Sequence, residues 1–166
     1  MAPEGGRVVS ISATMESLVG RALIGIRRMR YIVHQEVYSD RGPLELTFEG
    51  ALPLVFDTAG NGQDLRVERG AWRDPFAEPL SQENRDWVAR AGKWQAFDVS
   101  AEWPFSALFG RPLSAVRAIA GPSAAPEIGG LVLTIGVDLL IEVGADELEV
   151  EVLTDSPARG PESSSN

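Results

Sequence analysis

Apolar and polar residues alternate along several short stretches of the chain, as they do in strands that bury one face of a sheet. Residues 44–48 alternate in this way, residues 147–152 alternate acidic with aliphatic side chains, and residues 7–12 show a shorter version. Gly50 and the loop at 60–62 separate successive runs with the residues that favour tight turns. The pattern therefore predicts short strands joined as antiparallel meanders.

One stretch has helical spacing instead. Residues 81–91 begin at Ser81, a natural N-cap, and end just before Gly92, which suits the end of a helix. Trp87 and Val88 contribute to an apolar stripe on this segment. The sequence predicts one short connecting helix over residues 81–91.

Two segments repeat the same motif ninety positions apart. Residues 18–27 read LVGRALIGIR and residues 108–117 read LFGRPLSAVR, with Leu, Gly, Arg, Leu and Arg at matching positions. Pro112 disfavours a continuous helix in the second segment, since proline inside a helix costs about 3 kcal/mol. Each segment is thus predicted to be a turn followed by a strand. A change in the parity of apolar positions between Ile26 and Met29 predicts a bulge or a break in the first of these strands.

The similarity extends beyond the motif, with length changes confined to loops. It defines a first repeat over residues 8–68 and a second over residues 98–151, joined by an aromatic-rich connector over residues 69–97. Two one-face-apolar meanders can bury those faces against each other. We predict a mainly β, internally duplicated fold, a pseudo-twofold β-sandwich or barrel, forming one domain over residues 1–154. Residues 155–166 have the composition of a disordered tail.

Composition narrows the classes of function. The chain has 166 residues, no cysteine, one histidine and a formal net charge of −9. The absence of cysteine excludes a disulfide framework and a thiolate site. The acidic balance argues against a general nucleic-acid binder. We see neither a secretory leader nor an apolar run long enough to cross a bilayer, and expect a cytoplasmic protein without a membrane partner.

The sequence offers little for catalysis. His34 is the only imidazole, so a serine or threonine triad would have to use it, and no Gly-x-Ser-x-Gly motif accompanies it. Residues 57–68 partly follow the spacing of a calcium loop, but Ala59 replaces a ligand and strands flank the segment. We therefore expect a hairpin there, and no catalytic residue, metal site or cofactor.

Aromatic residues are concentrated in and beside the connector, with eight of them between positions 72 and 109. Such rings bury large areas and are typical of anchors at binding surfaces. Trp72, Trp94 and Trp103 are the predicted binding residues of this set. The alternative is that the rings attach the connector to the two sheets.

Arg28, Arg30 and His34 share one face of the first long strand and complete the predicted binding residues. Several carboxylates crowd the end of the second repeat, around residues 147–152. If the arginines meet this acidic strand, the two halves are electrostatically matched. If they do not, both patches are free for a partner.

The pattern Leu-x-Gly-Arg-x-Leu, the pattern Gly-x-Leu-x-Leu-Thr and the run Asp146-Glu147-Leu148-x-Val150 resemble those of small bacterial β-domains in uncharacterised families. Some similar two-repeat domains are regarded as immunity proteins of toxin loci. The resemblance implies a protein-binding role and brings no catalytic motif.

Three classes of function follow. The first is a non-catalytic domain that binds a basic protein partner, as in toxin neutralisation. The second is a small-ligand binder or hydrolytic enzyme that uses a cleft between the repeats, lined by carboxylates and tryptophans. The third is a structural subunit of a homodimer or larger homo-oligomer. The acidic surface and the aromatic anchors favour the first.

Overall fold

The computed structural model of the chain describes residues 10–154, and the predicted tail at 155–166 lies outside them. Within these residues the fold is mainly β, with two antiparallel sheets and two α-helices. The strands are β1 Leu23–Val33, β2 Glu36–Ser39, β3 Leu44–Phe48, β4 Leu54–Thr58, β5 Leu65–Arg69, β6 Lys93–Asp98, β7 Ala115–Ile119, β8 Gly130–Ile135, β9 Val137–Gly144 and β10 Glu147–Leu153. The helices are α1 Ile11–Glu16 and α2 Gln82–Ala91, and a 3₁₀ turn covers Phe105–Ala107.

Strand β1 is the centre of the first sheet, which contains β1 to β6. β6 runs along one edge of β1, while β3 and then β2 run along the other, and β4 and β5 extend the sheet beyond β3. Tyr31 illustrates the arrangement, because it pairs with Ser39 of β2 and with Trp94 of β6. The second sheet is a meander in which β7, β8, β9 and β10 follow in chain order.

Apolar residues of both sheets meet in one shared core. Burying a leucine side chain contributes about 1.5–3 kcal/mol relative to exposure, so this core is the main source of stability. The sheets remain two separate open layers, and the barrel alternative is therefore wrong. Fully buried members of the core include Leu44, Leu46, Phe48 and Phe56 of the first sheet, and Leu131, Leu133, Leu139 and Ile141 of the second.

The two segments that carry the repeated motif contact each other directly. Residues 20–23 and 110–113 exchange four backbone hydrogen bonds of 2.7–2.9 Å around a bridge between Ala22 and Pro112. The N–H groups of Gly20, Leu23, Gly110 and Leu113 donate to the carbonyls of Leu113, Arg111, Leu23 and Arg21, respectively. The pattern is reciprocal: each hydrogen bond donated by the first segment has an equivalent bond donated by the second.

Helix α1 replaces the strand predicted over residues 7–12, as far as the structure describes that segment. The Ser10 hydroxyl caps the helix by accepting a hydrogen bond from the Ala13 N–H (3.3 Å). Ile11 and Met15 are four residues apart, so both lie on the helix face that packs on the core, where Met15 is fully buried. The short alternation was misleading, and the prediction of a single helix is wrong.

The helix predicted over residues 81–91 is confirmed as α2. The Ser81 hydroxyl accepts a hydrogen bond from the Asn84 N–H (3.1 Å), and Gly92 ends the helix with a φ of 78°. The last residues of the predicted connector, 93–97, were expected to lie outside the sheets. They belong to strand β6, which pairs with β1. This segment is therefore part of the first sheet as well as a link between the halves.

The predicted bulge or break between Ile26 and Met29 is wrong. Pairing of β1 with β3 and β6 is regular there, and the register shifts lie at Leu23/Gly25 and Tyr31/Ile32. Ile26 belongs to the shared core, whereas Met29 is fully buried but lies outside that core. The apolar parity changes because both faces of β1 are covered at this point.

Candidate binding cleft

An open cleft of about 820 Å³ lies on the face of the first sheet that points away from the shared core. We call it the aromatic cleft, because six aromatic side chains line it. It is bounded by the connector, by α2, by the end of the β1–β2 hairpin and by the turn between β9 and β10. The rings are Tyr31, Tyr38, Trp72, Phe76, Trp87 and Trp94.

The rings form two groups with defined geometry. Tyr31 makes edge-to-face contacts with Trp94 (centroids 5.2 Å apart, planes at 78°) and with Tyr38 (6.2 Å, 69°). Phe76 and Trp87 stack at 5.1 Å and join the first part of the connector to α2. The Tyr31 hydroxyl donates to the Ala91 carbonyl (2.7 Å), which anchors the first group to the end of α2.

A bulge in β2 positions Tyr38. Tyr31 pairs with Ser39 and Ile32 pairs with Val37, so Tyr38 is the extra residue of the strand. Bulges of this kind redirect a side chain and are frequent beside functional sites. The Tyr38 ring is 80% exposed and contributes nothing to the core, although it is held against Tyr31.

Gly42 allows the close packing on which this wall depends. A Cβ atom at position 42 would lie 2.4 Å from the Trp94 ring and 2.6 Å from the Met29 carbonyl oxygen. Both distances are too short for a side chain at position 42, so glycine leaves the space that the Trp94 ring occupies beside the backbone.

Ion pairs neutralise most of the basic groups around the cleft. The Lys93 ammonium donates to the Asp74 carboxylate (2.5 Å), and Arg41 pairs with Glu147 (3.1 Å). Burial raises the pKa of Asp57, which also lines the cleft. These pairs tie the connector and the β9–β10 turn to the first sheet and leave a lining of balanced charge.

Two side-chain hydrogen-bond donors belong to residues that line the cleft and have no partner among the described residues. They are the indole nitrogens of Trp72 and Trp94, and neither is a buried atom without a partner. The Trp72 backbone N–H, in contrast, donates to Glu45 (2.7 Å), which fixes the connector on the sheet. The cleft thus offers indole N–H groups beside apolar rings.

The predicted binding residues fall in four different places. Trp72 and Trp94 both line the aromatic cleft. Trp103 is 71% exposed and lies outside the cleft, before the 3₁₀ turn. Sequence proximity could not separate Trp103 from the other two, because the separation depends on where the chain re-enters the first sheet at β6.

Arg28 and Arg30 line a second groove of about 560 Å³ between the sheets. Arg28 is 5% exposed and donates to the carbonyls of Asp40 (3.0 Å) and Leu148 (2.6 Å), and burial lowers its pKa to about 10. Arg30 pairs with Glu102 (3.0 Å). Arg28 therefore joins the two sheets through a backbone carbonyl of β10, whereas the partner of Arg30 lies outside both sheets.

His34 lies apart from these arginines, in the tight turn between β1 and β2. Its φ is 49° and that of Gln35 is 66°, a left-handed conformation that costs non-glycine residues free energy. The shallow cleft beside His34 is lined mainly by apolar groups such as Val37 and Phe97, with no carboxylate or hydroxyl among its lining residues.

The segment at 57–68 forms the β4–β5 hairpin that we expected. Asn61 shapes its loop, accepting from the Asp64 N–H (3.1 Å) and donating to the Asp64 carboxylate (2.6 Å). Asp64 is buried and also accepts from the Ser123 hydroxyl (2.9 Å), which ties the loop to the second half. Among the described residues, no three His, Cys, Asp or Glu side chains are grouped as metal ligands.

Four rings of the cleft were not among the predicted binding residues. Trp87 and Phe76 belong to the aromatic-rich part of the sequence and could have been added on that ground. Tyr31 and Tyr38 are the only tyrosines of the chain and lie on either side of one turn. That spacing was a usable signal, but the bulge that places Tyr38 has no mark in the sequence.

Comparisons with protein-family models, curated proteins and solved structures find no match for this chain. No helix within residues 10–154 is long and apolar enough to cross a membrane.

Proposed function

We propose that this protein is a non-catalytic binding domain that holds a segment of a basic protein partner in the aromatic cleft. The observation that carries this proposal is the concentration of six aromatic rings in one open cleft. Aromatic side chains dominate the binding energy of protein interfaces, where a few residues account for most of the affinity. Tyr38 and Trp87 remain exposed in the free protein, so a partner can still cover them.

We also propose that the chain arose by duplication. The position of the cleft then supports a binding role. The reciprocal hydrogen bonds between residues 20–23 and 110–113, and the matching strand orders β1-β3-β4-β5 and β7-β8-β9-β10, support that origin. The cleft is built largely from the β1–β2 hairpin, the connector and β6, for which the second half has no counterpart among the described strands. Elements that serve only the repeated fold would occur in both halves.

The charge of the partner follows from the surface beside the cleft. The β9–β10 turn brings Asp146 to the rim, and the outer face of the second sheet continues from it with Glu142, Glu149 and Glu151. Arg117 is the only basic residue in the four strands of that sheet. A basic partner is attracted by this face and by the net charge of −9. Neutralisation of a basic toxin in the cytoplasm is a role of this kind.

The alternative functions have less support. A ligand site or hydrolytic site between the halves would correspond to the groove at Arg28, which Glu142, Glu149 and Glu151 also line. No tryptophan lines that groove, and Arg28 is already bonded to the opposite sheet. Assembly as a homo-oligomer predicts self-association at micromolar concentrations, which light scattering measures directly.

Affinity capture from the source cells, followed by titration with the purified captured protein, tests the proposal. We expect a basic protein that binds the wild type and binds Tyr38→Ala at least about tenfold more weakly, since truncation of a hot-spot aromatic costs about 2 kcal/mol or more. Trp103→Ala is the matched control, because it removes an equally exposed ring outside the cleft. We expect this control to bind like the wild type.

Both variants remove a side chain that is more than 70% exposed, so neither should affect folding. A partner whose affinity depends on Trp103 and not on Tyr38 would place the site elsewhere. Capture of further copies of this chain alone would favour the homo-oligomer.

A further inference from the structure

We propose that the segment held in the aromatic cleft is proline-rich, adopts an extended polyproline II conformation and carries a basic residue at its flank. This inference rests on the proposed function and specifies the chemistry of the partner at the same site. Three features of the cleft support it: free donors, the angles between the rings, and the distribution of charge.

The cleft offers donors where a proline-rich chain offers acceptors. The indole N–H groups of Trp72 and Trp94 have no partner among the described residues, and the hydroxyl of the exposed Tyr38 adds another donor. A polyproline II segment makes no internal hydrogen bonds, and proline has a carbonyl but no N–H. Its carbonyls can therefore accept hydrogen bonds from the indole N–H groups, and it has few N–H groups that need acceptors in the cleft.

The ring geometry suits pyrrolidine rings. Tyr31 stands nearly perpendicular to both Trp94 and Tyr38, at 78° and 69°. Rings at such angles leave angular slots between their faces, unlike a flat stack that offers a single platform. Aromatic-lined grooves of this type recognise proline-rich segments, whose restricted backbone loses little conformational entropy on binding.

The charges place the basic residue outside the slots. The lining itself is balanced, with Arg41, Arg73 and Lys93 against Asp57, Asp146 and Glu147, so a lone cation gains little there. Carboxylates exceed basic groups in the neighbouring groove, which is lined by Asp40, Glu142, Glu149 and Glu151 against Arg28, Arg30 and Arg41. A basic residue next to the proline-rich stretch complements this groove.

Titration of the intact protein with synthetic peptides, followed by tryptophan fluorescence and calorimetry, tests the inference. The probe is a ten-residue peptide of consecutive prolines ended by two arginines. One matched peptide replaces the prolines with alanines, and another replaces the arginines with glutamates. We expect saturable binding of the first peptide, and at least about tenfold weaker binding of the alanine peptide, because loss of a single hot-spot contact already has an effect of this size. The glutamate peptide should also bind more weakly.

Trp72→Phe tests the donor role separately, because it keeps an aromatic ring and removes the indole N–H. Loss of one hydrogen bond should weaken binding of the proline peptide about three- to tenfold. Trp103→Phe, the same change outside the cleft, should leave the affinity unaltered. Circular dichroism of each variant verifies that the fold is intact.

Equal binding of the proline and alanine peptides, or no effect of Trp72→Phe on a folded protein, would overturn the inference. The proposed function has a separate readout. A captured partner whose binding depends on Tyr38, together with failure of the proline peptide, would retain the binding site and reject its proline-rich ligand. Failure of both experiments would reject both proposals.

Discussion

The two sheets share a core but differ in what covers their outer faces. On the first sheet the connector lies over the outer face, and Glu45 and Val55 are buried there at 5% and 7% exposure. On the second sheet the outer face carries partly or fully exposed carboxylates at Glu142, Glu149 and Glu151. The outer face of the first sheet is the floor of a cleft, and that of the second is a charged surface.

The strands differ in the same sense. β1 has 11 residues and pairs with three strands, whereas β7 has 5 residues and pairs only with β8. The additional length of β1 carries Tyr31 and the hairpin to β2, with its bulge and its left-handed turn residues. None of β2 is buried, so packing does not explain it. The extension of β1 and the hairpin to β2 are therefore the part of the first sheet that the core does not require.

If the two sheets are equal contributors to stability, truncations at corresponding core positions should have equal effects. Leu46 of β3 and Leu133 of β8 are both fully buried in the shared core. We expect Leu46→Ala and Leu133→Ala each to lower the free energy of unfolding by about 2–5 kcal/mol, through lost burial and the cavity that remains. Urea denaturation measures both values.

Two probes make this comparison sharper. All four tryptophans lie between residues 72 and 103, so their fluorescence reports on the connector and its surroundings, while circular dichroism reports on both sheets. If the two sheets share one core, the fluorescence and circular dichroism transitions should coincide in each variant. A Leu133→Ala protein in which only the circular dichroism transition shifts would show that the sheets unfold separately.

The covered outer face should be sensitive to the loss of one charge. Glu45 accepts two hydrogen bonds from Arg27 (2.8 and 2.6 Å) and one from the Trp72 N–H (2.7 Å). Glu45→Gln keeps the shape but turns an amide donor toward one of these donors. We expect destabilisation of about 1–3 kcal/mol, the cost of an unsatisfied buried group, measured by thermal or urea denaturation.

The connector offers a second readout for the same change. Because Glu45 holds the Trp72 backbone, limited proteolysis should cleave the connector faster in Glu45→Gln than in the wild type. Glu16→Gln removes an exposed charge of α1 and serves as the control. If the two variants were equally stable, the contact with the connector would contribute nothing.

The local features of the fold were predictable from the sequence. The alternating runs at 44–48 and 147–152 became β3 and β10, and Ser81 and Gly92 marked the ends of α2. These features depend on neighbours in the chain, so residue type and spacing suffice. The short alternation near Ile11 failed because a helix cap and an i, i+4 apolar pair fitted the same residues.

The site depends on long-range contacts, and this is why it was only partly predicted. Trp72 and Trp94 meet because β6 returns to pair with β1, and the Gly42 backbone then accepts the Trp94 ring. Nothing in the local sequence distinguishes them from Trp103. Arg28 looked available for a partner, yet a carbonyl 120 residues away accepts its hydrogen bond.

The exposed outer face should respond to loss of a carboxylate in the opposite direction from the covered one. Glu142 and Glu149 are directly opposite each other on β9 and β10, and like charges in that register destabilise a sheet. Glu142 has no ion-pair partner among the described residues, whereas Glu149 lies 3.9 Å from Arg41. We expect Glu142→Gln to raise the free energy of unfolding by roughly 0.2–1 kcal/mol at low salt. The gain should shrink as salt screens the repulsion, which denaturation at two ionic strengths measures. A loss of stability on Glu142→Gln would mean that this carboxylate has an attractive role, and the two outer faces would then differ less than their burial indicates.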